Sequence, residues 1–532
     1  MSRSRIYLFD TTLRDGAQTT GINFSIDDKK YIAALLDSIG IDYIEGGYPG
    51  ANPIDTEFFG KKPKLQHARF AAFGMTKRAG RSIGNDPGIA ALLDADADAI
   101  TFVAKSFDYQ VRVALGCTLE ENLDGISQSI GAACAKGREA MLDCEHFFDG
   151  YKANPAYAIE CATAAYAAGA RWVVLCDTNG GTLPHEIEAI VADVMRHIPG
   201  DHLGVHMHND TENAVANTLA AIRAGVRHVQ GTLNGLGERC GNANLVSLIP
   251  TLLLKPDYAE HYEIGVTPAQ LANLTKISRT LDELLNRAPD RHQPYVGASA
   301  FATKAGIHAS ALMKDPATYE HVPPESVGNQ RRMLVSDQAG KSNILAELER
   351  LGVKLAKDDP RLSRLLDEMK DKEAQGYAYE GADASFELLA RRSLGTVPDY
   401  FDVEGFRVDV ERRHNAKGEL VSISEAIVKM RIDSTVLISA AEGNGPVNAL
   451  DIALRKDLGK YQPFIADLEL VDYRVRVFQG GTDAVTRVLI EFREASGDHW
   501  STVGVSANLI DASFQALIDA ITYKLLKSGA VS

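Results

Sequence analysis

Two histidines spaced by one residue, His206 and His208, close an apolar run (HLGVHMHND), and an acid-bearing segment, Asp10–Gly16 (DTTLRDG), stands near the start of the chain. On a β-strand alternate side chains point the same way, so both imidazoles can address one point. With Asp15, and with Asn242 from a later glycine-rich loop, they make a mixed nitrogen and oxygen set suited to a divalent cation with open positions. Zn²⁺, Mn²⁺, Co²⁺ and Mg²⁺ all fit such a set, whereas a closed structural zinc site would be richer in cysteine. A lone HxH is more often a pair of satisfied strand histidines; the strand position and the Asp15 partner turn the reading towards a metal. Arg14 beside a cation suits a small α-keto acid, because the guanidinium binds the anion and steadies oxyanion charge while the metal chelates its oxygens. The plainer reading of Arg14 is an ion-pair partner for a buried acid. Glu145, in the apolar MLDCEHFF, either carries a raised pKa and handles protons or is a buried acid paired to a neighbouring base.

These residues are far apart in sequence, so the intervening elements must bring them together. Up to about residue 255, β-rich runs alternate with amphipathic helical text. The runs are RIYLFD (5–10), DYIEGG (42–47), RFAAFG (69–74), AITFVA (99–104), EAMLDCEHF (139–147), WVVLCD (172–177), HLGVHMH (202–208) and HVQGTL (228–233). Helical spacing recurs in Ser25–Ile39, Thr118–Lys136, Pro155–Ala168 and Pro184–His197. Eight strand–helix units over roughly 250 residues predict an α/β fold, a TIM (β/α)8 barrel. The rival open sheet lacks a glycine-rich dinucleotide loop after the first strand. Asp15 is expected to reach the histidines through adjacency of strands one and seven. In the barrel, Arg14 and Asp15 follow strand one, Glu145 ends strand five, Thr178 follows strand six, His206 and His208 end strand seven, and Asn242 follows strand eight. All fall on the carboxyl face, where such barrels hold their active sites.

From about 256 to 390 the text turns to helices and loops. Helical spacing near 268–288 gives way to FATKAGIHASAL (301–312), the Pro-bearing Tyr319–Gly328, and a charged helical region, Asp337–Gln375. His308, in the second of these, contributes only if its segment covers a barrel mouth. LARRSLGTVPDYFDVEG (389–405) reads as the last linker. The remainder has period-two strands at 426–433, 468–478 and 486–494, and two helices, 445–454 and 505–517, that begin alike. Asn448 and Asp451 match Asn508 and Asp511, which predicts a duplicated strand–helix unit. The expected division is a catalytic barrel over 1–265, helical subdomains over 266–395, and a C-terminal α+β effector-binding domain over 396–532.

The 532-residue length predicts two or three domains, and 45% hydrophobic with 24% charged residues is ordinary for globular chains. A formal charge of −15 argues against nucleic acid or an anionic membrane as the main partner. Six cysteines without a CxxC pair suit free thiols. No signal peptide and no 18-residue apolar stretch is evident, so a cytoplasmic location with no membrane partner is expected.

DTTLRDGAQ (10–18), HMHND (206–210), NGLGERCGNANL (234–245) and AGIH (305–308) resemble the α-isopropylmalate synthase / homocitrate synthase / citramalate synthase family, the acyl-CoA-condensing relatives of hydroxymethylglutaryl-CoA lyase. The resemblance covers essentially the whole chain, including a C-terminal domain similar to the family's effector-binding one. Ala17, where isopropylmalate synthases usually carry glutamate, together with GGYPGANPID (46–55) and YEHVPPESVGNQRRMLVSDQAGKSNI (319–344), points to the pyruvate-using members. After His308 the chain departs from the family: Ala-Ser-Ala stands where many members have an aspartate and a glycine, so Ser310 inherits no acid role. The resemblance implies a Claisen condensation of acetyl-CoA with pyruvate followed by thioester hydrolysis, the first step of a pyruvate route to isoleucine. It implies that Asp15, His206, His208 and Asn242 hold a divalent metal, that Arg14 orients the keto acid, and that Thr178 bonds its carboxylate. Glu145 would act with His308, Tyr319 assisting, and the latter two would come from the partner subunit of a homodimer. Isoleucine would bind the C-terminal domain. The alternatives are a larger keto acid (2-oxoisovalerate or 2-oxoglutarate), a carbon–carbon lyase, which the long C-terminal domain disfavours, and a catalytically dead amino-acid-binding scaffold. The keto-acid side chain is expected among Phe73, Met75 and Phe102.

Overall fold

Strands covered on both faces read as near-continuous apolar text, and all eight expected runs form such strands. In the computed structural model, which describes residues 3–531 except 334–340, 351, 354, 380, 415 and 479–483, they are β1 (Tyr7–Asp10), β2 (Tyr43–Gly47), β3 (Arg69–Met75), β4 (Ala99–Lys105), β5 (Glu139–Glu145), β6 (Trp172–Asp177), β7 (Leu203–Met207) and β8 (His228–Gly231). Each pairs in parallel with the next, and β8 pairs with β1, closing the barrel. Closure places β8 between β1 and β7. The expected adjacency of strands one and seven is therefore wrong; Asp15 reaches the histidines from the loop after β1, over the rim. The last expected residue of the seventh run, His208, lies beyond the strand in a bridge with Asn242.

The helices between the strands start where their capping chemistry dictates. Ile26–Ser38 follows Ser25, and Leu119–Ala135 follows Thr118, each in a reciprocal capping box with an acid three residues on. Pro155–Ala167 and Pro184–Val194 begin with proline, whose fixed φ suits a first turn. The second of these ends before the expected His197.

Period two divides each strand between two cores. Leu8, Ile44, Phe70, Phe102, Leu142, Val173 and Val205 face the helices, while Phe9, Tyr43, Ala71, Ala99, Met141, Trp172 and Val174 fill the barrel's base. Phe102 thus belongs to the outer core, and the expectation that it meets a keto acid at the mouth fails. Along β5, Met141, Asp143 and Glu145 share the inward face, so the lumen passes from apolar base to charged rim within four residues.

Two compact units divide the chain. One runs to Phe301 and includes Val322–Arg331; helix Leu274–Leu284 joins its core through Leu274, Ile277 and Leu281. The other comprises Ala302–His321 and the chain from Arg332. Within it lie helices Gly306–Leu312, Lys341–Arg350, Pro360–Ala374 and Asp383–Ser393. The start of the expected charged helix, 337–340, and part of the 319–344 motif lie outside the described residues. Of the expected linker at 389–405, residues 394–401 are irregular chain, while its ends are the last turn of helix Asp383–Ser393 and the start of a strand at Asp402. Phe386 and Leu389 on that helix are buried with Val503 and Val505, which holds it against the sheet.

The C-terminal part repeats one topology. β9 (Asp402–His414), β10 (Leu420–Ile432) and β11 (Thr435–Gly443) form an antiparallel meander followed by helix Pro446–Lys456; β12 (Glu469–Phe478), β13 (Val485–Arg493) and β14 (His499–Ser506) do the same before helix Leu509–Lys527. Sequence periodicity reveals β10, β12 and β13 but not β9, β11 or β14. β9 is largely exposed and charged along its length, and β11 is short-chained, so neither shows a strong apolar alternation. The matched residues do different work: Asn508 accepts from the Ile510 N–H as a helix cap, whereas Asn448 accepts from the Asn444 N–H. Among the described residues no helix is long and apolar enough to cross a membrane.

Candidate metal centre

The loop after β1 is fixed by a buried acid. Asp10 accepts from the Thr12 N–H and hydroxyl, each at 2.8 Å, and the Thr12 oxygen accepts from the Leu233 N–H at 2.8 Å. This ties the loop carrying Arg14 and Asp15 to the one carrying Asn242. Burial pushes the Asp10 carboxyl up to about 7.

Beyond that tether, Asp15 Oδ2 lies 3.1 Å from His206 Nε2, which lies 3.3 Å from His208 Nε2. All three residues are buried, and their ligand atoms lie within 4.8 Å of one another. Burial works against the Asp15 charge, but Arg14 and then the His206 hydrogen bond hold it well below the usual carboxylate range. Burial also opposes the His206 cation, yet the Asp15 contact raises its pKa. Burial, then the neighbouring His206, lower His208 to about 3. Asn242 is buried beside this set; its Nδ2 donates to the Leu236 carbonyl at 3.1 Å while its Oδ1 has no hydrogen-bond partner. An orphaned buried oxygen next to converging lone pairs is the environment a divalent cation satisfies, and the residues fit one. Glycines shape the loop: Gly237 has φ +154° and a Cβ there would collide with the Asn242 amide.

Arg14 takes the ion-pair arrangement weighed from sequence and stands beside the Asp15 cluster. Its Nε donates to Glu45 Oε2 at 2.7 Å, its Nη1 lies 3.7 Å from Asp15 Oδ2, and its guanidinium carbon lies 3.9 Å from the Phe73 ring centre. Burial disfavours its charge, but Glu45, Asp15 and Asp143 more than compensate. Burial raises the pKa of both Glu45 and Asp143, and Arg14 only partly offsets this at Glu45.

Glu145, at the end of β5, is ion-paired with Lys105 Nζ at 2.7 Å, the paired arrangement weighed from sequence. Thr178 Oγ1 accepts from the His146 N–H at 2.8 Å and keeps its own proton for another acceptor. Met75 is exposed at the end of β3. His308 and Tyr319 belong to the second compact unit, where their ring centres lie 4.4 Å apart. Glu45, Lys105, Asp143 and Gln230 also line the lumen and escaped the sequence reading. Period two counted back from Glu145 to Asp143 would have flagged one of them.

A closed parallel barrel that gathers an aspartate, two histidines and an arginine at its carboxyl rim is the architecture of the divalent-metal-dependent HMGL-like class, and the HMGL-like family model matches residues 5–280. The model described as homocitrate synthase post-HMGL domain-like matches residues 295–376, and that of the LeuA allosteric (dimerisation) domain matches 380–525. The (R)-citramalate synthase of Geobacter sulfurreducens is 50% identical over 99% of each chain, and that of Streptomyces coelicolor 50% identical over 98% of this chain and 97% of its own. The 2-isopropylmalate synthase of Methanocaldococcus jannaschii is 30% identical over 98% of this chain and 95% of its own. The chain belongs to the (R)-citramalate synthase family.

Proposed function

We propose that the chain condenses acetyl-CoA with pyruvate and water to give (R)-citramalate and CoA. The observation that carries this reading is the Asp15–His206–His208 cluster beside Arg14, in a chain half-identical along its length to (R)-citramalate synthases. A divalent cation held by Asp15, His206, His208 and Asn242 supplies, when bound, Lewis acidity for an α-keto acid.

Arg14 binds the keto-acid anion and steadies its developing alkoxide, and Thr178 donates to the carboxylate. Glu145, ion-paired with Lys105, takes a proton from the acetyl methyl, with His308 and Tyr319 of the partner subunit completing the proton path. The enolate carbon bonds to the ketone carbon, whose oxygen is protonated; water then adds to the thioester and CoA leaves as the thiol. Arg14 thus provides local positive charge in a chain of net charge −15.

In this reading residues 1–265 are the catalytic barrel, 266–395 the helical subdomains that complete the site in a homodimer, and 396–532 the regulatory domain, with isoleucine as its effector. The enzyme works in the cytoplasm. CoA release is measured with acetyl-CoA and pyruvate, 2-oxoisovalerate or 2-oxoglutarate in turn, with and without isoleucine. Pyruvate is expected to give the fastest release and isoleucine to slow it. Clear preference for 2-oxoisovalerate would overturn the substrate, and indifference to isoleucine the effector.

A further inference from the structure

A hydrogen-bonded chain crosses the barrel lumen just below the rim. Asp143 on β5 accepts from Gln230 Nε2 at 2.9 Å, and Gln230 Oε1 on β8 lies 2.8 Å from His206 Nδ1. All three residues are buried, and Gln230 is fully inaccessible. His206 and Gln230 face each other across adjacent strands in register. We propose that Gln230 and Asp143 are positioning residues that fix the ring tautomer and orientation of His206 for metal binding. This rests on the metal reading given above.

With Asp143 ionised, hydrogen-bond complementarity places a proton on His206 Nδ1. An amide can present oxygen or nitrogen to a neighbour, and an imidazole can carry its proton on either nitrogen. The Asp143 carboxylate only accepts, so Gln230 turns its NH₂ towards Asp143 and its oxygen towards His206. That oxygen also only accepts, so His206 Nδ1 carries the proton. Once a cation displaces the proton that Nε2 shares with Asp15, the Nε2 lone pair is free to bind it beside His208. The opposite amide orientation would set NH₂ against Nδ1, move the ring proton to Nε2 and block the ligand atom. Metal-bound histidines usually donate their other N–H in this way, and losing the acceptor costs about 10- to 100-fold in affinity. Here the acceptor is a neutral amide whose own orientation is set by a second residue on the far side of the barrel.

The test uses full-length protein stripped with chelator and titrated with Co²⁺, whose visible absorption reports its coordination. Wild type, His206→Ala, Gln230→Leu, Gln230→Glu, and Gln230→Glu combined with Asp143→Asn are compared. Gln230→Leu is expected to weaken Co²⁺ binding about 10- to 100-fold. Gln230→Glu alone places a second carboxylate against Asp143 and is also expected to weaken binding. The double variant restores the chain with reversed polarity, the amide introduced at position 143 donating to the new carboxylate at position 230. It is expected to return to within about threefold of wild type, by the same outer-sphere logic. Merely structural roles predict no such rescue. If Gln230→Leu fails to fold, the glutamate pair decides. Binding by Gln230→Leu at wild-type strength, or a double variant no tighter than Gln230→Glu, overturns the proposal. If His206→Ala binds Co²⁺ as well as wild type does, the metal reading itself fails and the inference with it.

Discussion

Replacing Arg14 with methionine keeps an apolar stem against Phe73 and removes one charge from a buried cluster. Glu45 is fully inaccessible, donates nothing, and receives the Arg14 Nε–H at 2.7 Å; its other oxygen has no hydrogen-bond partner. Removing the cation therefore strands a carboxylate out of water, a loss of about 3–5 kcal/mol for a buried pair broken on one side. Adding Glu45→Gln to Arg14→Met removes the stranded charge, and at least about 2 kcal/mol of stability is expected to return, since much of that loss is the orphan's desolvation. The assay is urea unfolding at pH 8 followed by Trp172, buried in the barrel's base, in a Trp500→Phe background that leaves a single tryptophan. Both variants are expected to lose about 10²–10³ in kcat/KM, because the charge facing the oxyanion is absent from each. Unchanged stability in Arg14→Met, a further drop on adding Glu45→Gln, or activity that returns with stability would each refute the pairing.

Two further outcomes follow from the rim. Asp10 has a folded pKa pushed up from 3.8 to about 7, so the stability it contributes is fully present below its unfolded value and is lost as pH rises through about 7. Asp10→Asn is expected to flatten the decline in unfolding free energy from urea titrations between about pH 4 and 8, by at most about 4 kcal/mol if the whole shift is expressed; an unaltered pH profile would contradict the burial account. Gly237→Ala places a Cβ into the Asn242 amide at a φ that L-residues rarely adopt. It is expected to cost about 1–3 kcal/mol and to weaken Co²⁺ binding, and wild-type affinity in a folded variant would remove Asn242 from the ligand set.

Much of this arrangement was legible in the residues themselves. Eight apolar runs separated by helical text give a closed barrel, and HxH at the end of one run gives two imidazoles on one face. Which face a strand turns inward is harder to read, because a shift of one residue exchanges all inward and outward side chains. Phe102 illustrates this: beside the inward Thr101 and Val103, it packs on the helices. Asp143 and Gln230 escaped notice for a related reason, since a polar residue inside an apolar strand has no meaning until its partner across the lumen is known. Strand adjacency around a closed ring also had to be seen, as β8 stands between β1, whose following loop bears Asp15, and β7, which bears His206.

The most direct test is a crystal soaked in Mn²⁺ and measured for anomalous scattering. One peak is expected within about 2.0–2.3 Å of an oxygen of Asp15, the Nε2 atoms of His206 and His208 and Oδ1 of Asn242, with open positions on its outer side. A manganese peak elsewhere, or Asp15 remote from both imidazoles, would contradict the central claim.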